Sequence, residues 1–249
     1  VDDKPPFHGG VEFNNRYGTS RAPDPTDLRA SVNLRFDNWW QLDHSFSFQY
    51  LVAPENRDES NVFSASYVLP MGIGDNLLAF YGVRSDSDID LSASLAGTNV
   101  LGRGDILGAR AIFPLKTLGK LSHSFTLGLD YKHFEEQLQQ QEAGAIDTPV
   151  TYWLLTGQYG ATFEHLEGET SFGATAGFSL RGNESEFDQK RFRGQSNFAT
   201  LRWDLQRVQH LPWGFSFAAR VEGQTASQPL VSSEQFAAGG ADSVRGYPE

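Results

Sequence analysis

The sequence predicts an all-β chain, a transmembrane antiparallel meander of about eleven strands. Three observations carry that expectation. Apolar and polar residues alternate with period two over segments long enough to cross a bilayer. The connections between segments alternate in length. Tryptophans gather where the connections are short.

The totals narrow the field first. The chain has 249 residues, with 19 Phe, 25 Gly, one Met and no Cys, and 39% of it is hydrophobic. It holds no apolar run of the roughly 18 residues a membrane-spanning helix needs. The absence of cysteine removes zinc–thiolate sites, thiol catalysis and disulfides. A formal charge of −11 disfavours nucleic acid as a partner, since phosphate binding calls for a basic surface. An acidic chain rich in Gly and aromatics fits a soluble lectin-like sandwich. It equally fits an outer-membrane barrel, whose polar lumen and loops hide it from hydropathy scans.

The segments decide between the two. Residues 28–38 place Leu28, Ala30, Val32, Leu34 and Phe36 on one face, and Arg29, Ser31, Asn33, Arg35 and Asp37 on the other. "HSFSFQYLV" repeats the pattern with Phe46, Phe48, Tyr50 and Val52, and "HSFTLGLDY" with Phe125, Leu127, Leu129 and Tyr131. "SFGATAGFSLRG" and "FSFAARVEG" follow, led by Phe172 and Phe178 and by Phe215 and Phe217. In order, the expected strands are 10–18, 28–38, 44–53, 61–70, 77–86, 106–115, 123–135, 151–164, 170–182, 197–209 and 215–225. Leu77 and Leu78 blur the alternation of the fifth. No segment reads as an amphipathic helix.

Connections after the even-numbered segments are short: "NWWQLD", "MGIGDN", "KTLGKL", "LEGE" and "PWG". Those after the odd-numbered segments are mostly longer and polar, from "GTSRAPDPTD" to "NESEFDQKRFRGQS". A sandwich has no reason to sort its loops by parity. A transmembrane meander does, with tight turns at one interface and long loops at the other. Trp39, Trp40 and Trp213 at the short-turn ends match an interfacial girdle. Residues 1–9 read as the end of a linker and 10–249 as barrel, the last loop occupying 226–249. A spanning sheet must close, and barrels of this type use an even strand count, so eleven strands imply part of a larger barrel. Alone, with both edges unpaired, they are not expected to form a stable closed pore.

Other strings invite chemistry and give little. Asp86, Asp88 and Asp90 are spaced like a calcium loop but lack its glycine and terminal glutamate. Arg103-Gly104-Asp105 is a short adhesion-type string that turn chemistry also explains. Glu135 and Glu136 are strand neighbours and point to opposite faces, so they cannot flank one bond. The six histidines show no metal-ligand spacing, and no nucleophile elbow occurs. Neither an enzyme nor a metal or other cofactor site is expected.

Arg16, Arg29, Arg35, Arg110, Arg181, Arg202 and Arg220 fall on the polar phase of their strands, with Glu12, Asp37, Asp204 and Glu222 among them. One reading is mutual salt-bridging that stiffens the wall. The other is a charged passage that keeps an unfolded chain hydrated.

The chain closes on "SSEQFAAGGADSVRGY", residues 232–247. Ser-Glu-Gln-Phe at 233–236, the Gly239-Gly240 pair and the tetrad Val244-Arg245-Gly246-Tyr247 follow one another in order. Together they resemble the long loop of the two-partner secretion transporters of the haemolysin-activator type. The resemblance implies a sixteen-stranded barrel in which this loop follows strand eleven. Only 232–249 carries specific motifs; the rest matches by architecture.

It further implies a loop, led in by Ser233, Glu234 and Phe236, that folds back into the barrel. Its tip would pack on the inner wall, with Arg245 pairing a carboxylate on a later strand. Gly239, Gly240 and Gly246 would permit tight turns and close approach, and Tyr247 would stack on the wall.

The function so implied is export of a partner protein through the bacterial outer membrane of a Gram-negative cell. The partner is an unfolded β-helical haemolysin or adhesin, captured by periplasmic POTRA domains and driven by its own folding outside. The barrel would be monomeric and set in outer-membrane lipid. A barrel-assembly insertase of the same superfamily is the alternative, and a soluble carbohydrate-binding β protein a more distant one.

Overall fold

A computed structural model describes residues 6–15, 28–54, 61–86, 90–95, 98–101, 103–140 and 144–236. Eleven strands form one antiparallel sheet, each paired with the next in the following order. They are β1 (Phe7–Asn15), β2 (Leu28–Trp39), β3 (His44–Val52), β4 (Asn61–Pro70), β5 (Leu77–Asp86), β8 (Arg103–Pro114), β9 (Leu121–Gln140), β10 (Gly144–His165), β11 (Gly168–Gly182), β12 (Ala199–His210) and β13 (Ser216–Ala226). A separate hairpin, β6 (Asp90–Leu95) and β7 (Thr98–Leu101), lies between β5 and β8. The sheet is a partial β-barrel with β1 and β13 at its edges.

Each expected segment falls on one of these eleven strands, including the blurred 77–86, which pairs along its whole length with β4. The first strand starts at Phe7 rather than residue 10, because Phe7, His8 and Gly9 pair with Phe36, Arg35 and Leu34. The largest difference is at β9 and β10. "QLQQQEAGAIDTPV" reads as a polar loop, yet the two strands keep pairing out to Gly144↔Gln140. A ladder needs only backbone N–H and C=O groups, so it continues where apolar alternation in the sequence has ceased.

Two further elements lie in stretches that read as loops. The β6–β7 hairpin lies within 87–105, and a short helix, α1 (Glu184–Lys190), follows β11. The Asn183 side chain caps α1 by accepting from the backbone N–H of Ser185, with Glu184 and Glu186 in the first turn and Lys190 in the last. Only Phe187 is buried in it, and one apolar residue makes no periodic signal.

The pleat separates two faces. Leu34, Phe36, Phe63, Phe80, Leu107, Phe125, Leu127, Phe172, Leu205 and Phe217 stand exposed on the outer one. The inner face carries the polar phase over much of the sheet. At its long-loop end it is apolar: Val62, Tyr81, Val83, Ile106, Phe134, Val150, Tyr152 and Leu154 pack there. Phe187 from α1, Phe198, and Leu230 and Val231 from the segment after β13 complete that cluster. Two loops therefore fold onto the inner wall and supply a core that the strands alone lack.

Candidate functional site: the loop stem on the inner wall

The segment after β13 turns inward at Leu230 and Val231, both buried, and runs into a 3-10 turn at Ser232–Glu234. The turn is closed by backbone bonds from Glu234 N–H to Val231 and from Gln235 N–H to Ser232. The Gln235 amide donates back to the Leu230 carbonyl at 2.8 Å, so the stem is tied to itself.

Glu234 is 3% exposed, a burial rare for a carboxylate unless it is paired. Its Oε1 accepts from Lys132 Nζ at 2.5 Å and from the Tyr152 hydroxyl at 2.7 Å. Arg202 donates to the Glu234 backbone carbonyl at 2.7 Å, with Oε2 at 3.4 Å. The Gln224 amide donates to the same carbonyl at 2.7 Å. These donors come from β9, β10, β12 and β13, so one residue of the loop gathers four strands. Burial pushes the Glu234 carboxyl up, but Lys132 and Arg202, with the Tyr152 hydrogen bond, outweigh it and hold it below the usual range. Ser233 is buried beside it, its Oγ 3.5 Å from the Tyr152 hydroxyl.

Strand phase places the wall partners. Lys132 pairs with Tyr152 across β9–β10, and paired residues share a face. Two residues before Lys132, Asp130 is buried on the same face and takes Arg110 in a bidentate bridge, Nη1–Oδ1 2.5 Å and Nη2–Oδ2 2.8 Å. The Tyr81 hydroxyl donates to Asp130 at 2.7 Å, and the Arg110 guanidinium lies over the Tyr81 ring. Gly108 and Gly128 make room for this triad. A Cβ at Gly108 would lie 2.4 Å from the Tyr81 ring, and one at Gly128 2.5 Å from Arg110 Nη1.

The seven arginines do not act alike. Arg110 and Arg202 enter the buried clusters. Arg35 pairs with Asp37 at 2.8 Å and Arg220 with Glu222, each along its own strand. Arg29 sits on β2 in the inner phase, opposite Asn14. Arg181 changes side: a register shift between Trp153 and Leu154 pairs it with Trp153, and it shares that residue's outer face. Arg16 lies outside the described residues, as do Gly239, Gly240, Val244, Arg245, Gly246 and Tyr247. Of the motif, the structure places Ser233 and Glu234 at the wall and leaves Phe236 exposed.

The remaining strings resolve in part: Asp88 lies outside the described residues, as do the side chains of Asp90 and Glu136. Arg103-Gly104-Asp105 opens strand β8 rather than a loop, and its charges face β5, Arg103 with Asp86 at 2.9 Å and Asp105 with Arg84 at 3.9 Å. His44, His123, His165 and His210 each meet a hydroxyl near a short turn, those of Tyr67, Tyr159, Thr170 and Ser216. Among the described residues no cluster of His, Asp and Glu could hold a metal ion.

Lys132, Tyr152, Asp130 and Tyr81 are the site residues that sequence reasoning did not single out as a group. Their phase on β5, β9 and β10 was the available signal; that a loop glutamate returns to them was not.

Comparison with known proteins places the chain in a family. The chain is 24% identical over 172 residues to the heme/hemopexin transporter protein HuxB of Haemophilus influenzae, a match over 67% of this chain and 30% of that relative. The chain thus spans under a third of the length of that protein. The model of the haemolysin secretion/activation proteins ShlB, FhaC and HecB matches residues 1–249, and the chain belongs to that family.

Proposed function

We propose that this chain forms part of a protein-secretion pore in the outer membrane of a Gram-negative bacterium, exporting an unfolded partner protein of the haemolysin or adhesin type. The observation that carries the reading is the stem after the eleventh strand of the main sheet, folded onto the inner wall with Glu234 buried among Lys132, Tyr152 and Arg202. A loop held inside the barrel is a component of the passage rather than of the cell surface.

The outer face supports a lipid environment. Its exposed phenylalanines and leucines would be a severe liability in water. Trp40, Ile73, Leu118, Leu166 and Trp213 stand exposed in the five short turns, at the level of an interface. The inner wall supports transport: several of its charges are paired, Arg110 with Asp130, Arg35 with Asp37, Arg220 with Glu222, and Lys132 and Arg202 with Glu234. The lumen is therefore a stiff, polar surface over much of its area, narrowed at the long-loop end by the two inward-folded loops. In this reading the tetrad Val244-Arg245-Gly246-Tyr247 forms the loop tip, and Arg245 reaches a wall carboxylate.

The test uses the full-length protein in planar bilayers and in cells co-expressing its partner. Arg245→Ala is expected to change conductance or open-state statistics and to abolish secretion. Unchanged conductance together with normal secretion overturns the loop's part in transport. Recovery of the protein from cells without detergent overturns the membrane assignment.

A further inference from the structure

We propose that Glu234 is a positioning residue, a latch that pins the loop stem to the wall independently of the tetrad at the tip. The inference rests on the secretion-pore reading for its biological meaning, but its geometry stands apart from it. Three observations converge. Glu234 and Lys132 are 3% and 8% exposed, so neither charge has a solvent alternative while the stem is seated. The carboxylate and the carbonyl of one residue take donors from β9, β10, β12 and β13, which turns a local turn into a cross-brace. The apolar residues just before it, Leu230 and Val231, are buried in the cluster that also holds Phe187 of α1.

The consequence is a device with two settings. A seated stem satisfies Lys132, Arg202 and Tyr152 together. A lifted stem leaves an ammonium and a guanidinium facing each other's side of the wall without their carboxylate, and strips the cover from Tyr152 and Phe134. Intermediate positions satisfy neither, because a buried charge half-withdrawn from its partners loses hydrogen bonds before water replaces them. The stem therefore stays seated or leaves as a unit. Any partner chain that passes this end of the lumen meets a wall whose cations are already occupied. The latch thus keeps Lys132 and Arg202 from capturing acidic stretches of the cargo.

These 249 residues hold no cysteine, so a thiol introduced here reports on the stem once labelling of the unsubstituted full-length protein is subtracted. Ser233→Cys in the full-length protein, on intact cells, is labelled with a membrane-impermeant maleimide, with the parent protein as background. Ser233 is 6% exposed, so labelling is expected to be slow. Adding Glu234→Gln should raise its rate about tenfold or more, the effect of losing one or two charge-assisted hydrogen bonds. Lys132→Met should do the same. Tyr152→Phe, which keeps the ring and its packing, should raise it less. The charge exchange Glu234→Lys with Lys132→Glu should restore part of the protection. Arg245→Ala should leave it slow.

Folding of each variant is read from heat-modifiable migration on gels, and Tyr152→Phe serves if Glu234→Gln does not assemble. An unchanged labelling rate in Glu234→Gln and Tyr152→Phe overturns the latch. So does full labelling in Arg245→Ala, which would make the tip the sole anchor. Raised labelling with secretion intact supports the latch and removes the seated stem from the secretion reading, so the two ideas fail separately.

Discussion

Arg110 and Arg35 both lie on the polar phase of a strand, face the same lumen and bond an aspartate. Their settings differ. The Arg110–Asp130 side chains are 12% and 2% exposed, bridge β8 to β9 and share the Tyr81 hydroxyl. The Arg35–Asp37 side chains are 61% and 34% exposed and sit two residues apart on one strand. What separates them is the packing around each pair. The Tyr81 ring and hydroxyl close on Arg110 and Asp130 across three strands, while Arg35 and Asp37 stand open to water on one strand. The same residue pair is a cross-strand rivet in one place and a solvated surface pair in the other. Both are mutual salt bridges of the wall, as is Arg220 with Glu222, and they differ in how far they are withdrawn from water.

That comparison can be broken most decisively at Asp130. Asp130→Ala leaves Arg110 buried without its carboxylate and should cost about 3–5 kcal/mol, the range for a broken buried pair. Denaturant unfolding of the detergent-solubilised full-length protein, followed by tryptophan fluorescence, measures it. A loss below about 1 kcal/mol, the ceiling for exposed pairs, would erase the distinction between the two halves of the wall.

The apolar packing beneath the α1 loop comes next. Phe187 is fully buried on α1, and Phe187→Ala removes a ring from the inner cluster. Deletions of this kind cost about 3–5 kcal/mol in a core. Here the cost falls on docking of the α1 loop, so faster limited proteolysis within 184–196 is expected, with the sheet's own unfolding changed less.

Gly108→Ala sharpens the same point from the backbone side. Its Cβ would sit 2.4 Å from the Tyr81 ring and 2.5 Å from Asp130 Oδ1, so the triad must shift. Overpacking at such a site costs about 1–3 kcal/mol. Gly10, on the inner phase of β1, has nothing within 4 Å, and Gly10→Ala should be close to neutral in the same assay.

Acid should act on the covered region through Glu234. Its folded-state carboxyl titrates below the ordinary 4.5, held there by Lys132, Arg202 and Tyr152 against burial. The ion cluster thus contributes stability above the unfolded value and loses it as pH falls through the lower, folded one. Pepsin cleavage around 230–236 is expected to stay slow down through 4.5 and to accelerate below it. Glu234→Gln should remove that pH step. The smallest effect belongs to the exposed pair: Arg35→Ala should change stability by about 0–1 kcal/mol, an effect that added salt reduces further.

Much of this molecule was legible before any coordinates. The eleven strands, their faces and the sorting of loops by length followed from alternation, because a wall with lipid on one side and water on the other imposes period two on its side chains. The inner phase of Arg35, Arg110, Arg202 and Arg220 followed from the same rule. The rule failed where its premise failed. Past their alternating stretches, β9 and β10 kept their ladder without the pattern. At the bulge beside Trp153 the phase slipped, and Arg181 moved to the other face. Helix α1 carried one buried residue and so left no periodicity to read.

The sequence by itself determined the eleven strands of the main sheet, their faces and the loop that carries the motif. Each is encoded by neighbours within about ten residues, through propensity and solvent contrast. Only the tertiary structure decided which charges are buried and with whom. Lys132 and Glu234 are 102 positions apart. Their meeting depends on how the sheet curves and on where the loop after β13 returns, and neither is written in the residues beside them. A carboxylate's pairing in a protein is set by what covers it, and cover is a property of the whole fold.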